Sequence, residues 1–315
     1  MSVASTVTQD VSLVGPEQSA TTVGRLISLR MSDYLQLCRP RIAVMSAAAA
    51  AAGFTLASVA GVDWAQLGIS LAGITLLVVS ASSLNQVLER HTDGKMHRTS
   101  GRPMVLGRLS VSEGWLIGCV SCLVGTLLLF RLVNPATGIC GLLTVLIYVG
   151  LYTPMKRTSS LCTTVGAIPG AMPPVLGWLA AGGSFGLEAL ALFALFFVWQ
   201  FPHFLAIGWI YRRQYEQAGL KMLPSFQDQG RRAGLIALVY AVAFVPVSVL
   251  PRFAGLAGSG YVAAALILSF GYLWLTVRFC RERTDVRARQ LMVGSLLCLP
   301  ALLMSLVIDF VRLTS

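Results

Sequence analysis

The chain has 315 residues, of which 56% are hydrophobic and only 12% charged, with a mean hydropathy of +0.74 and a formal net charge of +11. A soluble domain carries about 25% charged residues, so this composition excludes an ordinary soluble globular fold and points to a polytopic membrane protein. The basic residues are scattered through short segments between apolar runs, not gathered into one patch, which argues against a nucleic-acid partner.

Residues 1–30 are polar and contain no apolar h-region, so they do not form a signal peptide. Their only arginines stand at 25 and 30, a poor fit to a transit peptide, and a disordered cytoplasmic tail is expected there, ahead of a transmembrane domain over 31–315. Apolar runs near the ~20 residues needed to cross a bilayer then recur at about 42–60, 65–84, 111–130, 136–153, 163–181, 187–209, 233–250, 256–277 and 291–310. The fold class expected is therefore all-α, a bundle of nine transmembrane helices in contact with lipid. The fifth run is rich in Gly and Pro and the sixth contains Pro202, residue types that buried membrane helices tolerate.

With nine spans the termini lie on opposite faces. Placing the N-terminal tail with the loops after the second, fourth, sixth and eighth runs collects all of the 24 Lys and Arg except Arg131, Arg252 and Arg312. The positive-inside rule puts that face, and the N-terminus, in the cytoplasm. Trp64 and Trp115 read as interfacial anchors. The seven cysteines fall almost entirely inside apolar runs; Cys119 and Cys122 form a C-x-x-C there, read as small packing residues, and no disulfide is expected.

The two faces differ in chemistry. The sparse face has short loops such as "GVDW" and "AGGSFG", whereas the basic face carries "NQVLERHTDGKMHRTSGRP", residues 85–103. Asn85, Glu89 and Asp93 recur every four residues and so share one helix face, stepping ~6 Å at a time. Their oxygens suit a hard ion such as Mg²⁺, which keeps waters and binds phosphate as well. Lys95, Arg98, Thr99 and Arg102 come next, a set of donors suited to phosphate oxygens. Carboxylates beside cations make sense for a metal–diphosphate ligand. Lys156 and Arg157 open another charged segment on the same face and can converge with the first. Solvated loop charge accounts for Arg90, Arg108 and Arg281, but not for Asn85 and Glu89 at the end of a lipid-length run, where polar groups are costly.

The spacing N-x-x-x-E-x-x-x-D-x-x-M-x-R-T-x-x-R-P, carried by Asn85, Glu89, Asp93, Met96, Arg98, Thr99, Arg102 and Pro103, resembles the signature of the UbiA-type intramembrane prenyltransferases. "LQLCRPRIAVM", "YTPMKRTSSLCTTVGAIPGAMPPVLGW", "WQFPHFLAIGW" and "YEQAGLKMLP" agree with it, and the last two resemble the heme O synthase branch. The resemblance spans roughly residues 31–310. It implies a prenyltransferase of the bacterial inner membrane that joins farnesyl diphosphate to heme b, a substrate and not a cofactor, using Mg²⁺ and handing heme O to a heme A synthase. In it Asn85, Glu89 and Asp93 hold the metal, and Arg98 and Arg102, with Lys95, Lys156 and Arg157, bind diphosphate. Tyr152 and Trp199 are candidates for the prenyl cation or heme, and His203 for the heme iron. Gly166, Gly170 and Gly177 would let helices pack closely or leave room for the prenyl tail.

Two departures stand out. Position 91, often Asp in the branch, is His91, and the usual acidic pair before Tyr215 is replaced by Arg213 and Gln214. Arg213 is then expected to take over part of the diphosphate neutralisation, with Glu216 or Asp228 as the alternative source of a second metal site. Competing readings are a quinone-precursor or lipid prenyltransferase, a non-catalytic heme-binding homolog, and a transporter.

Overall fold

A computed structural model of the protein describes residues 28–221 and 230–314. The expected tail therefore lies outside the described residues up to position 27, and its last three residues, 28–30, are helical. Asp228 also lies outside them. The first helix, α1, covers 28–38. After it come α2 (Pro40–Ala57), α3 (Trp64–Asp93), α4 (Val111–Leu132), α5 (Pro135–Met155), α6 (Cys162–Ala180), α7 (Leu187–Ile210), α8 (Arg212–Gln217), α9 (Arg231–Ser248), α10 (Leu250–Phe253), α11 (Ser259–Glu282) and α12 (Asp285–Thr314).

Among the described residues eight helical spans are long and apolar enough to cross a membrane: α2, α3, α4, α5, α7, α9 with α10, α11 and α12. The nineteen-residue α6 is the ninth expected helix; it carries Pro169, Pro173 and Pro174 and is buried over most of its circumference. Its freed backbone groups lie inside protein, not lipid, which is where such a helix is tolerated. Lipid-facing sides show Leu116, Leu123 and Leu127 on α4 and Ile267 on α11, all exposed.

Local sequence explains the ends. Asp63 caps α3 by accepting from the backbone N–H groups of Ala65 and Gln66 at 3.0 Å each. Ser110 and Glu113 form a capping box at the start of α4. Glu113 also receives Arg30 and the Tyr34 hydroxyl, the latter at 2.7 Å, and Asp33 pairs with Arg108 at 2.9 Å, so α1 is tied to the entry of α4. Leu29, Met31 and Leu35 remain exposed on the outer side of α1. A single residue, Arg39, separates α1 from α2, and its φ of 50° makes the corner.

At the basic face the helices outrun their apolar stretches. Helix α3 continues beyond 84 to Asp93, as the four-residue spacing of Asn85, Glu89 and Asp93 implies, with Glu89 and Asp93 on a face that meets other helices while His91 stays exposed. Helices α11 and α12 likewise extend to Glu282 and from Asp285, so Arg278, Arg281, Arg287 and Arg289 stand on helices. The seven cysteines are free.

Helix α6 crosses α2 at backbone contact. A Cβ on Gly177 would overlap the carbonyl oxygen of Ala50, and one on Gly53 that of Pro174. Neither carbonyl can move without breaking its helix. Gly177→Ala is expected to destabilise the protein by about 1–3 kcal/mol, whereas Gly68→Ala, at a position with open space around it, should be neutral; thermal unfolding in detergent compares the two.

Candidate active site

Successive spans alternate in direction, so Asp93, Lys156 and Ile210 at the ends of spans and Arg39, Cys162 and Arg231 at the starts of others share one end of the bundle. The polar face of α3 points into it. Asn85, Glu89 and Asp93 are all buried, at 1%, 9% and 1% exposure. Each meets a different partner.

The Lys156 ammonium donates to Glu89 Oε1 at 2.7 Å and lies 4.4 Å from the centre of the Tyr152 ring. Asp93 pairs with Arg102. Asn85 Nδ2 donates to the Thr153 hydroxyl at 3.1 Å, and that hydroxyl donates to the Tyr148 carbonyl at 2.9 Å. Asn85 Oδ1 is left buried without a hydrogen bond. Burial pulls the Arg102 guanidinium below its ordinary pKa, the neighbouring Arg39 guanidinium adds to that, and Asp93 opposes both. The Arg39 side chain forms no ion pair among the described residues, so local positive charge exceeds what the carboxylates absorb.

A wide turn makes these contacts possible. Residues Ile147–Tyr152 of α5 form a π-helix, which inserts extra chain into the helix and re-aims the residues beyond it. From there Thr153 reaches Asn85 and Lys156 reaches Glu89. Gly166 on α6 leaves room for the Tyr152 ring, whose Cδ2 would lie 2.6 Å from a Cβ there.

The loop after α3 folds over the site and is held from two sides. Thr99 Oγ1 donates to the Asp93 carbonyl at 2.8 Å. The Arg98 guanidinium lies 4.9 and 5.0 Å from the ring centres of Tyr211 and Tyr215, while the Arg98 backbone N–H donates to Gln214 Oε1 at 3.2 Å. Gln214 ties helix α8 to the loop after α3. Arg157 donates to the Thr92 hydroxyl at 3.0 Å. Lys95 and Arg213 are exposed, and no contact joins Arg213 to the carboxylates among the described residues. His91 is exposed and accepts from Arg90 Nε at 3.1 Å. Trp199 and His203 lie elsewhere, stacked on each other against α12.

Among the described residues no group of three His, Cys, Asp or Glu side chains is gathered for a metal. The α3 face instead offers two carboxylates and an unpartnered amide oxygen. This is a set of hard donors that fits a Mg²⁺ completed by water and phosphate. Thr153 and Tyr148 were not singled out from sequence, and Gln214 stood out there only as a replaced acid, with no contact assigned to it. A polar Thr within an apolar run was the only available sign of the first.

The model of the UbiA prenyltransferase family matches residues 45–306. The chain belongs to that family. It is 38% identical over 288 residues to a protein named protoheme IX farnesyltransferase from Solibacter usitatus, covering 89% of this chain and 99% of that one. A protein of the same name from Koribacter versatilis is 37% identical over 290 residues, covering 89% and 93%. In three dimensions the chain resembles a structure of digeranylgeranylglyceryl phosphate synthase, with TM-score 0.76 at 14% identity over 90% of this chain and 99% of that one. It also resembles a UbiA homologue from Archaeoglobus fulgidus bound to DMAPP and Mg²⁺, with TM-score 0.64 at 18% identity over 87% and 99%. The all-α membrane bundle and the prenyltransferase class expected from sequence are thereby established.

Removing one partner of a buried ion pair leaves an uncompensated charge. Lys156→Met is expected to destabilise the protein by about 3–5 kcal/mol, and adding Glu89→Gln should recover most of that loss. Denaturant titration of the two variants in one detergent measures it.

Proposed function

We propose that the protein transfers the farnesyl group of farnesyl diphosphate to a vinyl carbon of heme b, with addition of water, giving heme O and diphosphate. The observation that carries this is the pair of buried carboxylates held by Lys156 and Arg102 beside an unpartnered Asn85 oxygen. Such an arrangement is poorly justified as a stabilising device, since well-packed apolar residues do as well or better. It is well suited to a ligand bearing both metal and polyanion. The names of the full-length relatives support heme as the acceptor.

Asn85, Glu89 and Asp93 would hold Mg²⁺, which would supply neutralising charge to the departing diphosphate. The chain's own cations do the rest. A diphosphate competes with Glu89 for Lys156 and with Asp93 for Arg102, and Arg39 adds attraction. Arg98, Arg157 and, at longer range, Lys95 and Arg213 extend the basic rim. When the C1–O bond of the farnesyl group breaks, the electron pair leaves with diphosphate. The vinyl π electrons then form the new C–C bond, and water adds to the carbon next to the porphyrin ring, losing a proton. Tyr152 faces this region and suits stabilisation of allylic positive charge. The buried helix walls exclude bulk water from the cation.

The basic end of the bundle is assigned to the cytoplasm of a bacterial inner membrane, where the diphosphate donor is soluble, and the product passes to a heme A synthase. A periplasm-specific reporter fused after Ser315 should be active and one fused after Gly107 silent; the reverse pattern would overturn the orientation.

The activity test is mass spectrometry of heme extracted after incubation with farnesyl diphosphate, with 4-hydroxybenzoate as a competing acceptor. Farnesylated, hydrated heme is expected. Asp93→Asn should lower kcat by about 10²–10³-fold and leave heme binding unchanged. Arg102→Lys should also lose activity, because an ammonium does not reproduce bidentate contact with phosphate. Prenylation of hydroxybenzoate but not of heme would replace this reading by the quinone-precursor one.

A further inference from the structure

A second polar cluster lies inside the bundle, away from the carboxylates. His203 on α7 is buried, with its ring stacked on Trp199 at 5.1 Å between centroids. The Trp199 indole N–H donates to the Ser295 carbonyl at 3.1 Å, and the Tyr272 hydroxyl donates to the Trp199 carbonyl at 2.8 Å. The indole is thus fixed from α12 and the backbone that carries it from α11, and the imidazole stacks on that indole. Phe204, more than a third exposed, adjoins the imidazole at 5.7 Å.

The hydrogen bonds decide where the imidazole proton sits. His203 Nδ1 is 2.6 Å from Ser295 Oγ, and Ser295 Oγ is 2.6 Å from the Met292 carbonyl oxygen. A carbonyl oxygen can only accept. The one hydroxyl proton of Ser295 is therefore committed to Met292, and Ser295 can only accept from Nδ1. This selects the neutral tautomer protonated at Nδ1. Nε2 then carries a bare lone pair.

Among the described residues no hydrogen bond to that lone pair is formed; the ring's other polar neighbour, the Met292 carbonyl, adjoins Ser295. The sealed side-chain atoms without partners are Ser80 Oγ, Ser83 Oγ, Asn85 Oδ1, Gln86 Oε1, Thr126 Oγ1 and Trp209 Nε1, and His203 Nε2 is not one of them. An unpartnered acceptor on a buried ring calls for an explanation. His203 stands seven residues before the end of α7 and Asn85 eight before the end of α3, each ~10–12 Å into its helix from the same end.

We propose that Ser295 is a positioning residue that locks the tautomer of His203 and presents its Nε2 lone pair as an axial ligand to the iron of the heme acceptor. The ligation consumes no proton, since Nε2 carries none, and Ser295 strengthens it by accepting from the opposite nitrogen, the arrangement that orients metal-bound histidines generally. Phe204 supplies an apolar face beside the porphyrin. The inference rests on heme being the acceptor, as proposed above.

The test is heme b titrated into the full-length protein in detergent without farnesyl diphosphate, read by optical absorption and resonance Raman. The wild type should show imidazole-ligated iron. His203→Ala should lose that signature and regain it with added imidazole. Ser295→Ala should bind heme about five- to tenfold more weakly, the size of one lost neutral hydrogen bond, with a weakened iron–histidine band, and Ser295→Thr should restore both. His203→Gln is a second variant should the alanine fail to fold, with farnesyl diphosphate binding as the check on folding. An unchanged heme spectrum in a folded His203 variant, or unchanged affinity and band in Ser295→Ala, overturns the inference. If that variant still farnesylates heme, the proposed function stands without it. A wild type that binds no heme removes both.

Discussion

Two carboxylates buried at the end of a membrane helix set the terms for everything around them. A charge in such a place is tolerated only when another charge answers it. Glu89 and Asp93 are answered by Lys156 and Arg102, which arrive from different parts of the chain. Much of the architecture at this end brings those cations in. The π-helix swings Lys156 toward α3, and the loop after α3 doubles back so that Arg102 reaches the helix it has just left. Helix α6, bare of side chains at Gly166, makes room for the tyrosine beneath Lys156.

The pairing also gives the site a defined chemical state. Each carboxylate already has a cation, so metal and polyanion are best taken together: either alone would separate a buried pair and leave half of it unanswered. The anion is attracted by Arg39, a cation outside both pairs. Its backbone sits in the left-handed region, unusual for a residue with a long side chain, at the corner between the surface helix and the first span. Strain of this kind persists where surrounding structure holds it, and here the ties from α1 to Glu113 and Arg108 do so.

How much of this was legible in the sequence depends on the range of the interaction. The four-residue spacing of Asn85, Glu89 and Asp93 is local and placed all three on one face. Hydropathy found the long helices for the same reason. Hydropathy alone ended α3 near 84, and it was the spacing of these polar residues that carried the helix on to Asp93; it forms because Glu89 and Asp93 face protein. That Lys156 lies on the same side as Glu89 came from loop alternation, but their contact depends on a π-turn that leaves no periodic signature. Ser295 was invisible: a lone serine in an apolar helix acquires meaning only from His203, ninety-two positions away. The roles of Gln214 and Arg98 likewise depend on the loop after α3 meeting α8.

The π-turn in α5 also bears on what kind of change this protein can accept. A regular α-helix over Ile147–Tyr152 would gain better-aligned backbone bonds and close the widened turn. It would also rotate every later residue of the segment by about 100°, one residue's share of a helical turn. Thr153 and Lys156 would leave Asn85 and Glu89 together, in a single deletion. The irregular turn therefore acts as a phase marker for the active face, and the shortest mutational path to a tidier helix leads away from the site. Efforts to stabilise the bundle have to be made elsewhere, on lipid-facing positions of α4 and α11, where side chains touch nothing that the chemistry uses.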